Sequence, residues 1–181
     1  MKRTLLALPL TLLMAAAAPA FANTGNISFT GNITSATCSI QIVDPITGMP
    51  GNGQINIGTV AASRFTAADQ EVSGKDFALR FTPGSGCSYN NYVANVTFTG
   101  AADSSGQYFK FKSQNGSATN VVAVLKDNTG TVIENGKPSV DYPLSASVAT
   151  DMKFSVMFRS TDAVVTPGST EADVGFSVAI N

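Results

Sequence analysis

Met152-Lys153-Phe154-Ser155-Val156-Met157-Phe158 (MKFSVMF) sets Met152, Phe154, Val156 and Phe158 on one side of an extended chain and Lys153 and Ser155 on the other. A period of two is the geometry of a β-strand with one buried face, because successive side chains leave a strand in opposite directions. Phe77, Leu79 and Phe81 repeat the pattern, with Ala78 and Arg80 opposite, so the two segments are expected to cover one shared core. Further strands are expected at Ser39–Val43, 54–60, 95–99, 108–112 and 121–126, the last followed by the turn-forming Asp127-Asn128-Thr129-Gly130. Helical periodicity is weak throughout; only 60–72 (VAASRFTAADQEV) reads as well as a short helix or a crossing loop as it does as a strand. Short strands between Gly, Asn, Asp and Pro clusters define an all-β chain, and their spacing suits an immunoglobulin-like sandwich.

The start of the chain has a different character. Lys2 and Arg3 precede an apolar run from Leu5 to Ala18, and Ala20-Phe21-Ala22 gives the small-x-small pattern of a signal-peptidase site. Residues 1–22 therefore read as a signal peptide, with the mature chain starting at Asn23. The run is interrupted by Pro9 and Thr11 and is shorter than the roughly 20 residues needed to span a bilayer, which argues against direct membrane insertion. Removing the leader leaves 181 − 22 = 159 residues, suited to one domain. Mature charge is 9 − 12 = −3, and no basic patch remains to recruit nucleic acid. Cys38 and Cys87 are the two cysteines, and an even count in an exported chain favours a disulfide. Closing that loop stabilises by about 4 kcal/mol in the chain-entropy model.

Both ends of the mature chain alternate. Gly25, Ile27, Phe29, Gly31 and Ile33 fall at every second position, with Asn26, Ser28, Thr30, Asn32 and Thr34 between them. Val174, Phe176, Val178 and Ile180 do the same just before Asn181. Such a terminal strand is either the edge of an ordinary sandwich or a strand free to pair elsewhere, and pattern alone leaves both open.

The segments GNISFTGNITSATC leading into Cys38, INIGTV at 55–60, SATNV at 117–121 and PGSTEADVGFSVAIN at the end lie in an order and spacing around the two cysteines. Together they resemble the pilin subunits of the chaperone-usher family, most of all those of type 1 fimbriae, over nearly the whole mature chain. One departure is Ile180, at a penultimate position where these pilins usually carry tyrosine.

The resemblance implies an incomplete immunoglobulin-like (pilin) β-sandwich of six strands that lacks its last one. It is completed by a donor strand from a periplasmic chaperone and later from a neighbouring subunit, as the chain passes an outer-membrane usher. On that pattern 23–35 is a donor-strand extension and 36–181 the pilin domain. Ile27, Phe29 and Ile33 would fill a neighbour's groove, and Gly31 would lie over a shallow part of it, where a large side chain blocks insertion. Val174, Phe176, Val178 and Ile180 would border the groove and pair with the chaperone, whose basic residues would grip Asn181. The implied partners are other fimbrial subunits, in a homo- or hetero-polymer, with chaperone and usher; the implied location is the fimbria at the cell surface.

Catalytic chemistry finds no constellation here. With no histidine there is no Ser-His-Asp or Cys-His arrangement and little basis for zinc, and no cofactor motif is present. Asp127 with Glu134, and Asp69 with Glu71, read as solvated loop charges, and 44–53 (DPITGMPGNG) as a surface loop. The function expected is a structural fimbrial subunit supporting adhesion. The alternative is a minor tip or adaptor subunit that itself contributes to receptor (glycan) binding.

Overall fold

The structure, a computed structural model, describes residues 38–84, Cys87 and 91–181, apart from the side chain of Ser73. The alternating segments become nine strands: β1 (Ser39–Val43), β2 (Glu71–Thr82), β3 (Val93–Gly100), β4 (Phe109–Lys110), β5 (Val121–Asp127), β6 (Val132–Ile133), β7 (Tyr142–Pro143), β8 (Thr150–Ser160) and β9 (Val174–Ile180). Six run for five residues or more, and β4, β6 and β7 have two each. One sheet has the order β1-β2-β8-β5-β4, with β6 also beside β5; the second is β7-β3-β9. Every ladder between named strands is antiparallel.

The residues singled out by alternation meet in the core. Register pairs Phe77 with Phe154 and Leu79 with Met152 across β2 and β8. From the second sheet Phe98 places its ring 5.0 Å from Phe154 and 6.1 Å from Phe77, edge-on in both cases, which favours the contact beyond simple area burial. Tyr142 joins the layers: its hydroxyl donates to the Lys153 carbonyl at 2.7 Å and accepts from the Asn128 amide at 3.4 Å. Burial pushes the Tyr142 phenol up to about 12, so the group keeps its proton, and its donor role, across neutral pH. Cys38 and Cys87 are bonded, with Cα atoms 5.3 Å apart, and pin the start of β1 to the segment between β2 and β3.

Three local expectations change, and the open reading of 60–72 is resolved. Segment 54–60 has no strand pairing among the described residues, although Ile55, Ile57 and Val60 pack on the core. Alternation reports a buried face, not a ladder. Here the Asn56 side chain takes the Gly58 amide at 2.9 Å, and Gly58 adopts φ +82°, which breaks the strand and slips the apolar phase by one residue. In 60–72, only Ala62–Arg64 form a 3-10 turn, after which Phe65 is buried and β2 begins. The strand at 108–112 shrinks to β4. Asp127 is buried rather than solvated, because its carboxylate accepts the amides of Thr129 and Thr131 and the Thr129 hydroxyl, closing the turn into β6.

The ladders define two ends of the sandwich. Ser39 opposite Thr82, Thr150 opposite Phe81, and Val93 hydrogen-bonded to Asn181 share the first end. Glu71 opposite Arg159, Val121 opposite Ser160, and Gly100 opposite Val174 share the second. The strap 161–173 between β8 and β9 lies against 116–118, with Ser117 and Ser169 bridged in parallel. A Cβ on Gly168 would sit 2.3 Å from the Ala118 nitrogen, 2.4 Å from the Ser117 carbonyl carbon and 2.6 Å from the Gly116 oxygen. Backbone cannot swing aside as a side chain can, so Gly168→Ala is expected to cost at least the roughly 1 to 3 kcal/mol typical of overpacking. Urea unfolding should show a lower midpoint with an unchanged slope. An unchanged midpoint would mean the strap does not pack this way.

Candidate functional site

Burial changes abruptly between the neighbouring strands β3 and β9. On β3 the inward residues Ala94 and Val96 are 0% exposed and Phe98 is 3%. Their register partners Ile180, Val178 and Phe176 on β9 point the same way but are only partly buried. One strand spacing, roughly 4.8 Å, separates a closed core from an incompletely covered one. The Phe176 ring, 6.5 Å from Phe98, extends to β9 the aromatic series that begins at Phe77. Among the described residues β9 has one strand neighbour, β3.

A second apolar margin belongs to the same core. Ile40 and Ile42 on β1 and Ile55, Ile57 and Val60 beyond it are partly buried against the cluster of fully buried side chains. The chain passes from β1 to 54–60 through loop 44–53, and this loop is fixed by charge. Asp44 accepts the amides of Ile46 and Thr47 at 2.9 and 3.0 Å, and Lys75 Nζ at 3.0 Å. Arg80 makes a fork to Asp151, Nε to Oδ1 at 2.6 Å and Nη2 to Oδ2 at 2.8 Å, and its Nη1 donates to the Gly48 carbonyl at 3.2 Å. The Gly51 amide then donates to the Ile42 carbonyl at 2.7 Å and turns the chain into 54–60.

The residues proposed from sequence fall as follows. Phe176, Val178 and Ile180 share one face, and Val174 shares their parity but is 37% exposed because Gly100 opposite it offers no side chain as cover. Asn181 exchanges two backbone hydrogen bonds with Val93, at 2.9 and 3.1 Å, and is exposed. Ile27, Phe29, Gly31 and Ile33 lie outside the described residues, as do the leader and the whole of the extension 23–35. Sequence reasoning placed Ile55, Ile57 and Val60 in a strand without giving them a role. Their alternation beside a turn-rich loop was the available signal. The Arg80–Asp151 fork left none, because it joins residues 71 positions apart. Among the described residues no group of three or more potential metal ligands occurs, and no helix is long and apolar enough to cross a membrane.

A two-layer, immunoglobulin-like sandwich with an apolar sheet margin left partly uncovered is the pilin type of fold. The family model for fimbrial protein matches residues 27–181, and the chain belongs to that family. It is 28% identical over 198 aligned residues to a type-1 fimbrial protein subunit of Serratia marcescens, with 98% of both chains covered. It is 26% identical to long polar fimbria protein A of Salmonella typhimurium, over 99% of this chain and 97% of the other. A solved chaperone-usher pilus structure superposes with a TM-score of 0.59 at 17% identity, covering 91% of this chain and 100% of that one. The protein is thus a fimbrial subunit of the chaperone-usher class, structural rather than enzymatic, and such subunits pass through the periplasm to surface fimbriae.

The charges that fix loop 44–53 make its position pH-dependent. The side-chain hydrogen bonds from Arg80 hold the Asp151 carboxyl below the usual carboxylate range, and the Thr47 amide, Lys75 and the Ile46 amide together hold Asp44 far below it. Both folded-state values lie under the unfolded one, near 3.9, so the unfolded chain binds more protons in the window between them. The stabilisation is complete above about pH 4 and is lost as pH falls through the folded values. The urea midpoint should therefore hold steady from pH 7 to 5 and drop below 4, and Asp151→Asn should make that drop shallower. An equally steep drop in the variant would remove the Arg80–Asp151 pair from the account.

Proposed function

We propose that this subunit polymerises by strand donation. The partly uncovered margin bounded by β9 and by 54–60 receives an extended segment from another chain, first from a periplasmic chaperone and then, at an outer-membrane usher, from the next fimbrial subunit. The observation that carries this reading is the burial step from Ala94, Val96 and Phe98 to Ile180, Val178 and Phe176. A core open at a sheet edge invites addition of a strand, whose backbone extends the ladder and whose alternate side chains fill the gap.

In this scheme 1–22 is the leader, 23–35 the donor extension and 36–181 the receiving domain. The donor side chains are Ile27, Phe29 and Ile33, each contributing roughly 1.5 to 3 kcal/mol when buried, before ordering costs. Gly31 passes over the shallow part of the groove. Val174, Phe176, Val178 and Ile180 form the receiving strand, and the chaperone's basic residues hold the carboxylate of Asn181.

Periplasmic expression of 23–181 with and without a fimbrial chaperone tests the scheme. The expected result is chaperone-dependent soluble yield and a ladder of oligomers that resists denaturant, with the ladder lost in Gly31→Trp. A stable monomer indifferent to both chaperone and Gly31 would contradict strand donation.

A further inference from the structure

Large apolar side chains stand exposed at both ends of the sandwich. Val148 is 63% exposed and Tyr92 46%, and both lie at the first end: the Leu144 amide donates to the Tyr92 carbonyl at 2.9 Å, and loop 144–149 leads directly into β8. Val164 is 70% exposed at the second end, where its carbonyl accepts Asn120 Nδ2 at 2.8 Å, and Val174, 37% exposed, begins β9 at that same end. Neither tip is a slack loop. The Val148 amide donates to Ser145 Oγ at 3.2 Å and the Ser145 amide to Thr150 Oγ1 at 3.2 Å, so the valine is presented in a fixed position.

We infer that these two end faces are one heterologous interface: the Tyr92–Val148 face of one copy packs on the Val164–Val174 face of the next copy of this chain along the fibre. The inference rests on the strand-donation reading and adds a contact between folded bodies. Its first support is direction. Every ladder between the described strands is antiparallel, and antiparallel pairing is the more stable arrangement per residue. A donor strand antiparallel to β9 brings its Ile33 end to the start of β9, at Val174 and the second end. The body that supplies the strand begins at Cys38, beside Ser39 at its own first end.

The second support is reach. Cys38 lies five positions after Ile33, and a fully extended chain spans at most about 18 Å over that distance. The first end of the donor body is therefore held close to the second end of the receiving body. Exposed apolar side chains at both faces have something to meet. A head-to-tail contact of this kind does not close on itself and repeats along a filament.

Cysteine cross-linking separates this inference from its premise. Fibres of Val148→Cys/Val164→Cys are treated with a short bis-maleimide, then dissociated by heating in denaturant. The two positions flank the 11 residues of β8, about 35 Å in extended strand, so a short reagent cannot join them within one copy. The expected result is a covalent ladder from the double variant and none from Val148→Cys/Ile46→Cys. Wild-type fibres provide a check free of substitutions, with Tyr92 protected from hydroxyl-radical oxidation relative to the chaperone-bound subunit and Met49 unchanged. Fibres that form without the 148–164 ladder and without Tyr92 protection overturn the end-face contact while leaving strand donation in place. Dimers from Val148→Cys alone overturn the antiparallel orientation and the contact with it. A wild-type chain that forms no fibre removes the premise, and the inference falls with it.

Discussion

The burial of Phe98, Val96 and Ala94 depends on β9, and β9 in turn pairs with no second strand among the described residues. The three β3 residues are closed off by β2 and β8 from the opposite sheet and by β9 alongside, whereas Phe176, Val178 and Ile180 hold the same facing with partial cover. A sandwich normally ends such a layer with another strand whose inward side chains complete it. Here the edge strand has the composition of an interior one: alternating, apolar, seven residues long, and without the charges or proline that commonly blunt an exposed edge. An edge left in that state is either a liability or a binding site, and strand donation takes it as the second.

The opposite margin is arranged differently. Segment 54–60 contributes Ile55, Ile57 and Val60 to the core without belonging to either sheet. Its position comes from loop 44–53, which is held by Asp44, Lys75, Arg80 and Asp151 rather than by apolar burial. The two walls thus rest on different physics: β9 on a full ladder with β3, the other on a fork of charge-assisted hydrogen bonds. The guanidinium of Arg80 and the carboxylate of Asp151 are each only partly exposed, so their pairing is screened less than a surface ion pair would be.

Much of this was legible from residue order. Strands β1, β2, β8 and β9 follow period-two alternation because each turns one face to the core, β5 is a short apolar run buried on both faces, and the cysteine pair and the chain's terminal alternations pointed to an exported pilin. What pattern could not supply was pairing. Segment 54–60 alternates as convincingly as β1, yet Asn56 and Gly58 satisfy the backbone locally and no ladder forms. Asp127 looked like a turn charge and is a buried one, since its Oδ1 accepts from three donors within four residues. The Arg80–Asp151 fork and the partial cover of Phe176 depend on which strands become neighbours, and neighbour choice is a property of the folded sheet rather than of any window of sequence.

The most direct measurement is thermal unfolding of residues 36–181, purified from the chaperone complex, titrated with a synthetic peptide of residues 25–34 (GNISFTGNIT). An open margin completed from outside predicts a saturable rise in the melting temperature that is abolished when the peptide carries tryptophan in place of Gly31. A melting temperature that ignores the peptide would mean that the core is already complete and that β9 is an ordinary edge.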